Sequence, residues 1–390
     1  MQNTLLPEFH LSGLEFPFTP SAIHAERMLG PMMPNAIEEA ASDPDPSNMF
    51  MRMFYLLQAV GKEKMALEMQ AKALERRSLY RVADPAVPEV KLLALMGPGT
   101  MLDNTPLDYV IQNSNIRLDL LYVHPDLTLP ESIPDHDIAI IALAESDKSR
   151  PLLNLMNELI ANWPRPVLNK PLRILGCSRN AVFQQLKDIP NLLVPEVHRC
   201  DRAQVMNTFY PMTIRPLDTH CGRGLMKINS REELDVYLEN SAEDDFFVSE
   251  YVDYRSKDGQ FRKYRVAMID GAAFAVHMAI SRNWMIHYLN ADMYWSEANR
   301  AEEAQFIEHF DEDFAVRHHE AFRHISERVA LDYFLLDCAE TEDGDLLIFE
   351  IGSAMIVHSL DPEQIFPYKR PQMEKIFFAF DDLLRRRKDG

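Results

Sequence analysis

One stretch in the last fifth of the chain constrains the fold most. It reads LDYFLLDCAETEDGDLLIFEIGSAMIVH and runs from Leu331 to His358. Its first apolar segment ends at Asp337, an Asp-Gly pair at 343–344 is typical of a hairpin turn, and a second apolar segment ends at Glu350. Pairing of the two segments would bring the two carboxylates together, and carboxylate oxygens suit hard divalent cations such as Mg²⁺. We therefore expect a site for a metal–nucleotide complex here, with an ordinary hairpin carrying solvated acids as the alternative.

Composition excludes several classes of function. The chain has 390 residues, 47% of them hydrophobic, which is enough for two or three domains with substantial cores. Its formal charge of -20 argues against sequence-independent binding of nucleic acid, which requires a basic surface. No apolar run approaches the roughly 20 residues of a membrane helix, and the first residues lack the pattern of a secretory signal. We expect a cytoplasmic protein without a nucleic-acid or membrane partner.

The four cysteines are far apart and form no CxxC pair. A disulfide framework or a zinc knuckle is therefore not predicted, and the cysteines are interpreted as reduced, mostly buried thiols.

The N-terminal region, residues 1–88, is predicted to be a helical extension. A short helix is expected at Ser21–Leu29, followed by two helical patterns between Asp45 and Val82 that join at Gly61. This pair is similar to a tetratricopeptide unit, but a stable array needs about three such units. We expect the pair to cap a neighbouring domain or to mediate contact with a second copy or another protein.

Residues 89–172 alternate between strand and helix patterns and predict a small parallel α/β domain. The apolar runs Val90–Gly97 and Asp137–Ala144 are its clearest strands. The turn at 97–99, Gly-Pro-Gly, matches neither of the common glycine-rich phosphate motifs, so nucleotide binding is not predicted there.

Residues 173–390 carry the motifs that predict chemistry. Arg215 ends a strand just before a proline, and a loop with Gly222 and Gly224 follows. Glycines let backbone N–H groups approach anionic oxygens, and a guanidinium can pair with two phosphate oxygens, so the loop is predicted to close over phosphates. A plain hairpin loop is the alternative.

Two further strands contribute candidate residues. One ends in Glu250-Tyr251-Val252, whose backbone groups could contact an adenine ring. A hairpin turning at 270–271 presents Arg265 on its first strand and His277 on its second. A buried arginine needs an anionic partner, whereas His277 and His287 are interpreted as structural. The segment 301–313 is predicted to be a solvated acidic helix and loop.

The order of these motifs resembles the ATP-grasp superfamily, in particular its carboxylate–amine ligases of the glutathione synthetase and ribosomal-protein modification type. The resemblance covers roughly residues 90–380 and implies an α/β and α+β fold: an ATP-grasp region of two lobes at 173–390, preceded by the small α/β domain and the helical segment. It implies ATP and Mg²⁺ as cofactors, with Asp337 and Glu350 as metal ligands and Arg215 and Arg265 as catalytic cations. The nucleotide-binding residues that it implies are Arg215, His220, Gly222, Gly224, Glu250, Tyr251 and Val252.

Departures from the family pattern leave alternatives open. The second metal strand of the family reads Glu-x-Asn, whereas this chain has Gly352 in the last position, and Ser353 or a water is a potential replacement. Arg215 stands where the family has a lysine, and no second lysine is evident around 178–181. The resemblance implies a ligase that joins a small-molecule or peptide carboxylate to an amine through an acyl phosphate. The alternatives are a catalytically impaired nucleotide-binding or scaffold protein and a small-molecule phosphotransferase.

Overall fold

The computed structural model describes residues 10–12, 38, 41–127, 130, 132–217, 219 and 222–389. The helix predicted at Ser21–Leu29 and the candidate His220 lie outside these residues. A short first strand, β1 (His10–Ser12), pairs in parallel with a strand of residues 132–134.

Two helices begin the main body of the chain. Helix α1 covers Pro46–Ala59. Asp45 is its N-cap residue, and the Asp45 side chain accepts a hydrogen bond from the backbone N–H of Ser47. After a turn at Gly61, helix α2 covers Glu63–Leu74. Both helices and their junction are as predicted, but the predicted helical pattern up to Val82 is wrong beyond Leu74.

The chain becomes a strand there because a buried ion pair holds it against the next sheet. Strand β2 (Leu79–Ala83) is antiparallel to strand β4 (Ile116–Tyr122), and Arg81 Nε lies 2.7 Å from Asp119 Oδ1 on that strand. Both side chains are almost fully buried. A helical course through Arg81 would leave the Asp119 carboxylate without this partner, at a high desolvation cost.

The first sheet is mostly parallel, as predicted. Its strands are β2, β3 (Val90–Met96), β4 (Ile116–Tyr122), β6 (Ile138–Ile141) and β7 (Val167–Leu168), in the spatial order β2-β4-β3-β6-β7. Strand β5 (Ser132–Pro134) pairs only with β1. The connections include α3 (Leu107–Val110) and α4 (Arg150–Leu159), and α5 (Pro171–Leu175) and α6 (Arg179–Leu186) follow the sheet.

The helical pair caps this sheet. Met51 and Phe54 of α1 and Ala73 of α2 are buried in one core with residues of β3 and β4. The side-chain amide of Gln70 on α2 donates to the carbonyl of Gly99 at 2.9 Å, and its oxygen accepts from the N–H of Gly99 at 2.8 Å. The capping role is one of the two that the sequence predicts for the pair.

The second sheet is small and antiparallel. It contains β9 (Val197–Asp201), β10 (Met212–Pro216), β11 (Met226–Ile228) and β12 (Asp245–Glu250) in the order β11-β10-β12-β9. Helices α7 (Arg202–Val205) and α8 (Arg231–Asn240) pack on one of its faces, around Met212, Ile214 and Phe246. The opposite face carries Thr213, Arg215, Lys227 and Ser249 together with Phe247.

The third sheet carries the stretch with which the sequence analysis began. Its order is β14-β13-β15-β16-β8, with β8 (Leu192–Leu193), β13 (Phe261–Ile269), β14 (Ala272–Ser281), β15 (Tyr333–Glu340) and β16 (Leu346–Gly352). On one face pack α9 (Glu297–Glu308), α10 (Phe314–Arg317) and α11 (His319–Val329). Helix α12 (Lys369–Asp389) packs on the other face.

The predicted fold class, α/β together with α+β, is confirmed. Within the described residues, no helix is both long and apolar enough to cross a membrane. Three cysteines, Cys177, Cys200 and Cys338, are buried free thiols, as predicted. The fourth lies outside the described residues.

Candidate functional site

A row of four polar residues crosses the third sheet. The strand registers pair His277 with Arg265, Arg265 with Asp337, and Asp337 with Glu350. The ladder is irregular just after Arg265 and again just after Asp337, and such bulges re-aim side chains at functional sites. The sheet therefore brings together the two carboxylates and the arginine that the sequence singled out.

Asp337 is held by two cations. Arg265 donates to it through Nε at 2.8 Å and Nη2 at 3.1 Å, and Lys263 Nζ lies 2.7 Å from Oδ2. The Asp337 side chain is only 5% exposed. Burial raises the pKa of this carboxyl, but the charges of Arg265 and Lys263 and their hydrogen bonds outweigh burial and hold the pKa far below its ordinary value. Asp337 is therefore fully ionised at neutral pH.

Glu350 is the more accessible carboxylate. Its side chain is 42% exposed, and Arg179 Nη2 lies 3.4 Å from Oε1. Desolvation raises the pKa of Glu350, the charges of Arg179, Arg215 and Lys263 lower it, and the net shift is downward. Because Arg215 belongs to the second sheet, this effect places cations of both sheets around one carboxylate.

Sequence reasoning missed two of these cations. Arg179 begins helix α6 directly after Ser178, inside the segment where no second lysine is evident. Lys263 lies two residues before Arg265 on β13, so strand alternation alone would have placed both side chains on the same face.

The face of the second sheet opposite helices α7 and α8 carries a second group of candidate site residues. Thr213 of β10 pairs with Lys227 of β11 on one side and with Ser249 of β12 on the other. The hydroxyl oxygens of Thr213 and Ser249 are 2.7 Å apart. Arg215, two residues after Thr213, shares this face by alternation. Lys227 is a further cation that sequence reasoning missed.

The glycine loop after β10 takes the conformation that its glycines predict. Gly222 and Gly224 have φ of 70° and 69°, in the left-handed region. A Cβ at Gly224 would lie 2.7 Å from Pro216 Cδ, so no larger residue fits without displacement. The guanidinium of Arg215 donates to the carbonyl of Thr219 and, from Nε at 3.2 Å, to its hydroxyl. Arg215 therefore ties the loop to its strand.

The strand end at Glu250-Tyr251-Val252 lies beside an aromatic pair. The ammonium group of Lys227 is 3.6 Å from the centroid of the Tyr251 ring, within the range of a cation–π contact. The Trp284 ring meets Tyr251 edge-on at 5.6 Å between centroids. Glu250 is exposed, whereas Tyr251 and Val252 are half-buried. Trp284 thus packs against the predicted adenine-binding segment.

Behind His277 lies a buried polar network. The His277 and Tyr288 rings are 4.6 Å apart, and the Tyr288 hydroxyl donates to Glu303 at 3.1 Å. Glu303 also accepts from Tyr368 at 2.6 Å, and Lys369 lies 3.5 Å from it. Glu303 is fully buried, so the predicted solvated helix at 301–313 is wrong for this residue. The network supplies the partners that a buried carboxyl requires.

The segment after Glu350 contains Ser353, one of the two potential replacement ligands. The Ser353 hydroxyl donates to the carbonyl of Leu143 at 3.0 Å, and the Ser353 carbonyl accepts from the Thr105 hydroxyl at 2.8 Å. Ser353 is 1% exposed. Its side chain therefore joins the third sheet to the first sheet and does not replace the missing amide oxygen. A Cβ on Gly352 would lie 3.2 Å from the terminal carbon of Met355.

The two carboxylates fit a metal ion whose remaining ligands would be water and phosphate oxygens. Among the described residues, no group of three or more His, Cys, Asp or Glu side chains is arranged to hold a metal alone. Mg²⁺ commonly takes one or two carboxylates and completes its shell with water and phosphate oxygens, which matches the Asp337–Glu350 pair. Four cations act on this pair in a chain whose net charge is -20: Arg179, Arg215, Lys263 and Arg265.

No protein-family profile matches the chain. Among curated proteins, it is similar to the coenzyme gamma-F420-2:alpha-L-glutamate ligase of Methanococcus maripaludis, with 29% identity over 79 residues. The matched segment covers 20% of this chain and spans about a quarter, 27%, of the length of that ligase.

Several solved structures are similar to most of the chain. A RimK domain ATP-grasp protein from Sphaerobacter thermophilus has 14% identity and a TM-score of 0.43, covering 75% of this chain and 99% of its own. The VanG D-Ala:D-Ser ligase from Enterococcus faecalis has 12% identity and a TM-score of 0.48, with coverage of 76% and 99%. The D-alanine–D-alanine ligase from Bacillus anthracis, complexed with ATP, has 13% identity and a TM-score of 0.44, with coverage of 77% and 99%.

Proposed function

We propose that this protein is an ATP-grasp ligase of the cytoplasm that joins a carboxylate to an amine or a related nucleophile at the expense of ATP. The observation that carries the proposal is the row Arg265–Asp337–Glu350 across neighbouring strands, surrounded by cations from two sheets. A site that combines two carboxylates with an excess of positive charge suits a metal–triphosphate complex, because both signs of charge find partners in it.

The nucleotide would lie between the second and third sheets. Its adenine ring is assigned to the segment 250–252, where Tyr251 and Trp284 offer apolar surface and Lys227 a polar edge. The glycine loop with Gly222 and Gly224 would cover the phosphates through its backbone N–H groups. Arg215 anchors that loop, and its positive charge lowers the pKa of Glu350. Arg215 is therefore assigned to the phosphate chain.

The proposed reaction has two chemical steps, which the family resemblance implies. A carboxylate oxygen of the first substrate attacks the γ-phosphorus, the bond from that phosphorus to the β,γ-bridging oxygen breaks, and ADP leaves with the electron pair. The amine then attacks the carbonyl carbon of the acyl phosphate, inorganic phosphate leaves, and the nitrogen releases a proton. Arg265 and Lys263 would stabilise the charge on the transferring phosphoryl group. Mg²⁺ bound by Asp337 and Glu350 would neutralise further phosphate charge.

A fifth of the chain is similar to a glutamate ligase, and the name of that ligase supports this class of reaction. The identity of the acid and of the amine stays open, since specificity of this kind resides in loops.

Gly352 favours a second candidate function, that of a nucleotide-binding or scaffold protein without turnover. The position provides no third oxygen ligand, and Ser353 is turned into the contact with Leu143. Transfer of phosphate to a small hydroxyl compound is a third candidate, and it would yield a phosphorylated product without amide formation.

The deciding experiment measures phosphate release from Mg-ATP with panels of carboxylates and amines, alongside calorimetric titration of ATP and Mg²⁺. A ligase releases phosphate only when both an acid and an amine are present, and Asp337→Asn removes this release. Mg²⁺-dependent ATP binding without phosphate release in any mixture of acids and amines would support the scaffold function and contradict the ligase proposal.

A further inference from the structure

Lys263 is absent from the site residues that the family resemblance implies, yet it makes one of the shortest ion pairs of the site. Its ammonium nitrogen lies 2.7 Å from Asp337 Oδ2, while Arg265 Nε takes Oδ1 at 2.8 Å. The Asp337 side chain is 5% exposed and the Lys263 side chain 20%. Both oxygens of the buried carboxylate are therefore engaged by cations of the chain itself, and the Arg265 side chain, at 19%, is exposed to the same degree as that of Lys263.

This arrangement changes the charge that an incoming metal meets. One carboxylate neutralises only one of two cations, so the Lys263–Asp337–Arg265 cluster has a net positive charge. Across the row, Glu350 is likewise paired with Arg179 at 3.4 Å. A divalent cation arriving alone would be repelled by this cluster and would have to break a short ion pair to a buried carboxylate. A triphosphate arriving with the metal brings the negative charge that the cluster lacks.

The two cations differ in how firmly they are held. Arg265 makes two parallel hydrogen bonds to Asp337 and a third contact, at 3.4 Å, with the carbonyl of Ile356. Its planar guanidinium is thus fixed from two sides. Lys263 is a point charge on a flexible four-carbon stem, which can swing its ammonium group without moving the backbone.

We propose that Lys263 is an exchangeable counter-ion that keeps divalent metal off Asp337 until nucleotide phosphates are present, and that its ammonium group then moves from Asp337 to a phosphate oxygen. This inference rests on the proposed function, because it assumes that a metal–nucleotide complex binds here. The Lys263 side chain then determines the order of binding. The metal binds together with the nucleotide, and Lys263 joins the cations that bind the phosphates.

Mn²⁺ serves as the probe, because the loss of its free electron paramagnetic resonance signal reports binding without any turnover. The titration compares wild type and Lys263→Met, each with and without a non-hydrolysable ATP analogue. Lys263→Arg keeps the charge, and Lys257→Met removes an exposed lysine outside the cluster. Thermal melting establishes that each variant is folded, and Lys263→Gln takes the place of Lys263→Met if that variant does not fold.

Without nucleotide, we expect Lys263→Met to bind Mn²⁺ at least about tenfold more tightly than wild type, since close charge pairs commonly couple by more than 1.4 kcal/mol. Lys263→Arg and Lys257→Met should match wild type. With the analogue present, wild type should bind Mn²⁺ and the advantage of Lys263→Met should shrink. Equal Mn²⁺ affinities of wild type and Lys263→Met without nucleotide would overturn the inference and leave the ligase proposal intact. Failure of wild type to bind Mn²⁺ even with the analogue would instead overturn the proposed function.

Discussion

Arg265 and Asp337 form a two-point ion pair between neighbouring strands, with Nε 2.8 Å from Oδ1 and Nη2 3.1 Å from Oδ2. Parallel hydrogen bonds of this kind fix the plane of the carboxylate as well as its position. Because the Asp337 side chain is 5% exposed and that of its neighbour Glu350 is 42% exposed, we expect Asp337 to be the more rigid of the two candidate metal ligands.

The first prediction concerns the rigid ligand. Asp337→Asn keeps the shape of the side chain but removes the charge that Arg265 and Lys263 share. We expect ATP turnover to fall by about a hundredfold or more, as it does when a group that organises transition-state charge is lost. The free energy of unfolding should fall by about 1–3 kcal/mol, because polar partners of Asp337 lose their counter-charge. Phosphate release and thermal melting measure the two effects.

Glu340→Gln is the matched control for this variant. Glu340 lies on the same strand but pairs with Arg317 and His318, on the side of the sheet where α10 and α11 pack. It should change stability without removing turnover. A wild-type turnover rate in Asp337→Asn would contradict the assignment of Asp337 to the metal.

The second prediction addresses the missing amide oxygen. Gly352→Asn adds a side-chain oxygen two residues after Glu350, where the resembling family carries one. In the ternary complex with a nucleotide analogue, Mn²⁺ should bind more tightly, by about tenfold, the range over which single groups at metal sites commonly act. Met355, whose terminal carbon would lie 3.2 Å from the new Cβ, must shift, and its flexible side chain allows this.

Gly352→Ala separates the oxygen from the added bulk. It places the same Cβ against Met355 but supplies no ligand, so its Mn²⁺ affinity should equal that of wild type. If the alanine and asparagine variants behave alike, position 352 plays no part in metal binding.

The third prediction tests the glycine loop. Gly224→Ala forces a side chain into a left-handed conformation and against Pro216 Cδ, so the loop must rearrange. We expect the Kd for ATP to rise by about tenfold, corresponding to 1.4 kcal/mol. Gly259→Ala has a similarly left-handed φ of 80° but open space around its Cβ, and it should leave the Kd unchanged. Calorimetry of ATP binding distinguishes the two variants.

The fourth prediction follows from the pKa of His277. Burial, together with the charges of Arg265, Lys369 and Lys263, lowers this pKa well below 6.5, although Asp337 acts in the opposite direction. The folded protein therefore keeps His277 neutral where the unfolded chain already binds a proton. Stability is full above pH 6.5 and is lost as the pH falls below 6.5 toward the folded pKa, by up to about 1.4 kcal/mol per pH unit for this one group.

Denaturant unfolding between pH 7.5 and 5.5 measures this slope. Tyr288 packs on the His277 ring, so the substitution should keep a polar side chain of moderate size. His277→Gln should reduce the slope, whereas replacement of the exposed His309 by Gln should leave it as in wild type. An identical pH dependence in His277→Gln and wild type would show that His277 is protonated in the folded protein at pH 6.

Much of this architecture was predictable, because local patterns specify local structure. The Asp-Gly turn at 343–344 and the apolar runs around it predicted the hairpin that pairs Asp337 with Glu350. Where a pattern depends only on neighbours in sequence, composition and spacing suffice.

What could not be predicted depends on contacts between distant segments. Arg81 looks like part of a helix until Asp119 pairs with it 38 residues later. Glu303 looks like a solvated acid on a helix until Tyr368 and Lys369 close over it from another element. Arg179 meets Glu350 across 171 positions. Tertiary pairing of charges overrides local propensity in each case.

The contact between Thr105 and Ser353 has a mechanical consequence. A hydrogen bond of 2.8 Å joins the loop after β3 to the residue that follows the carboxylate-bearing strand, and the Ser353 hydroxyl adds a second bond to Leu143. Gln70 holds the same loop from the opposite side through Gly99. Hydrogen bonds thus connect the helical pair to the first sheet and the first sheet to the carboxylate strand. A molecule that displaces helix α2 is therefore expected to shift the backbone beside Glu350 as well.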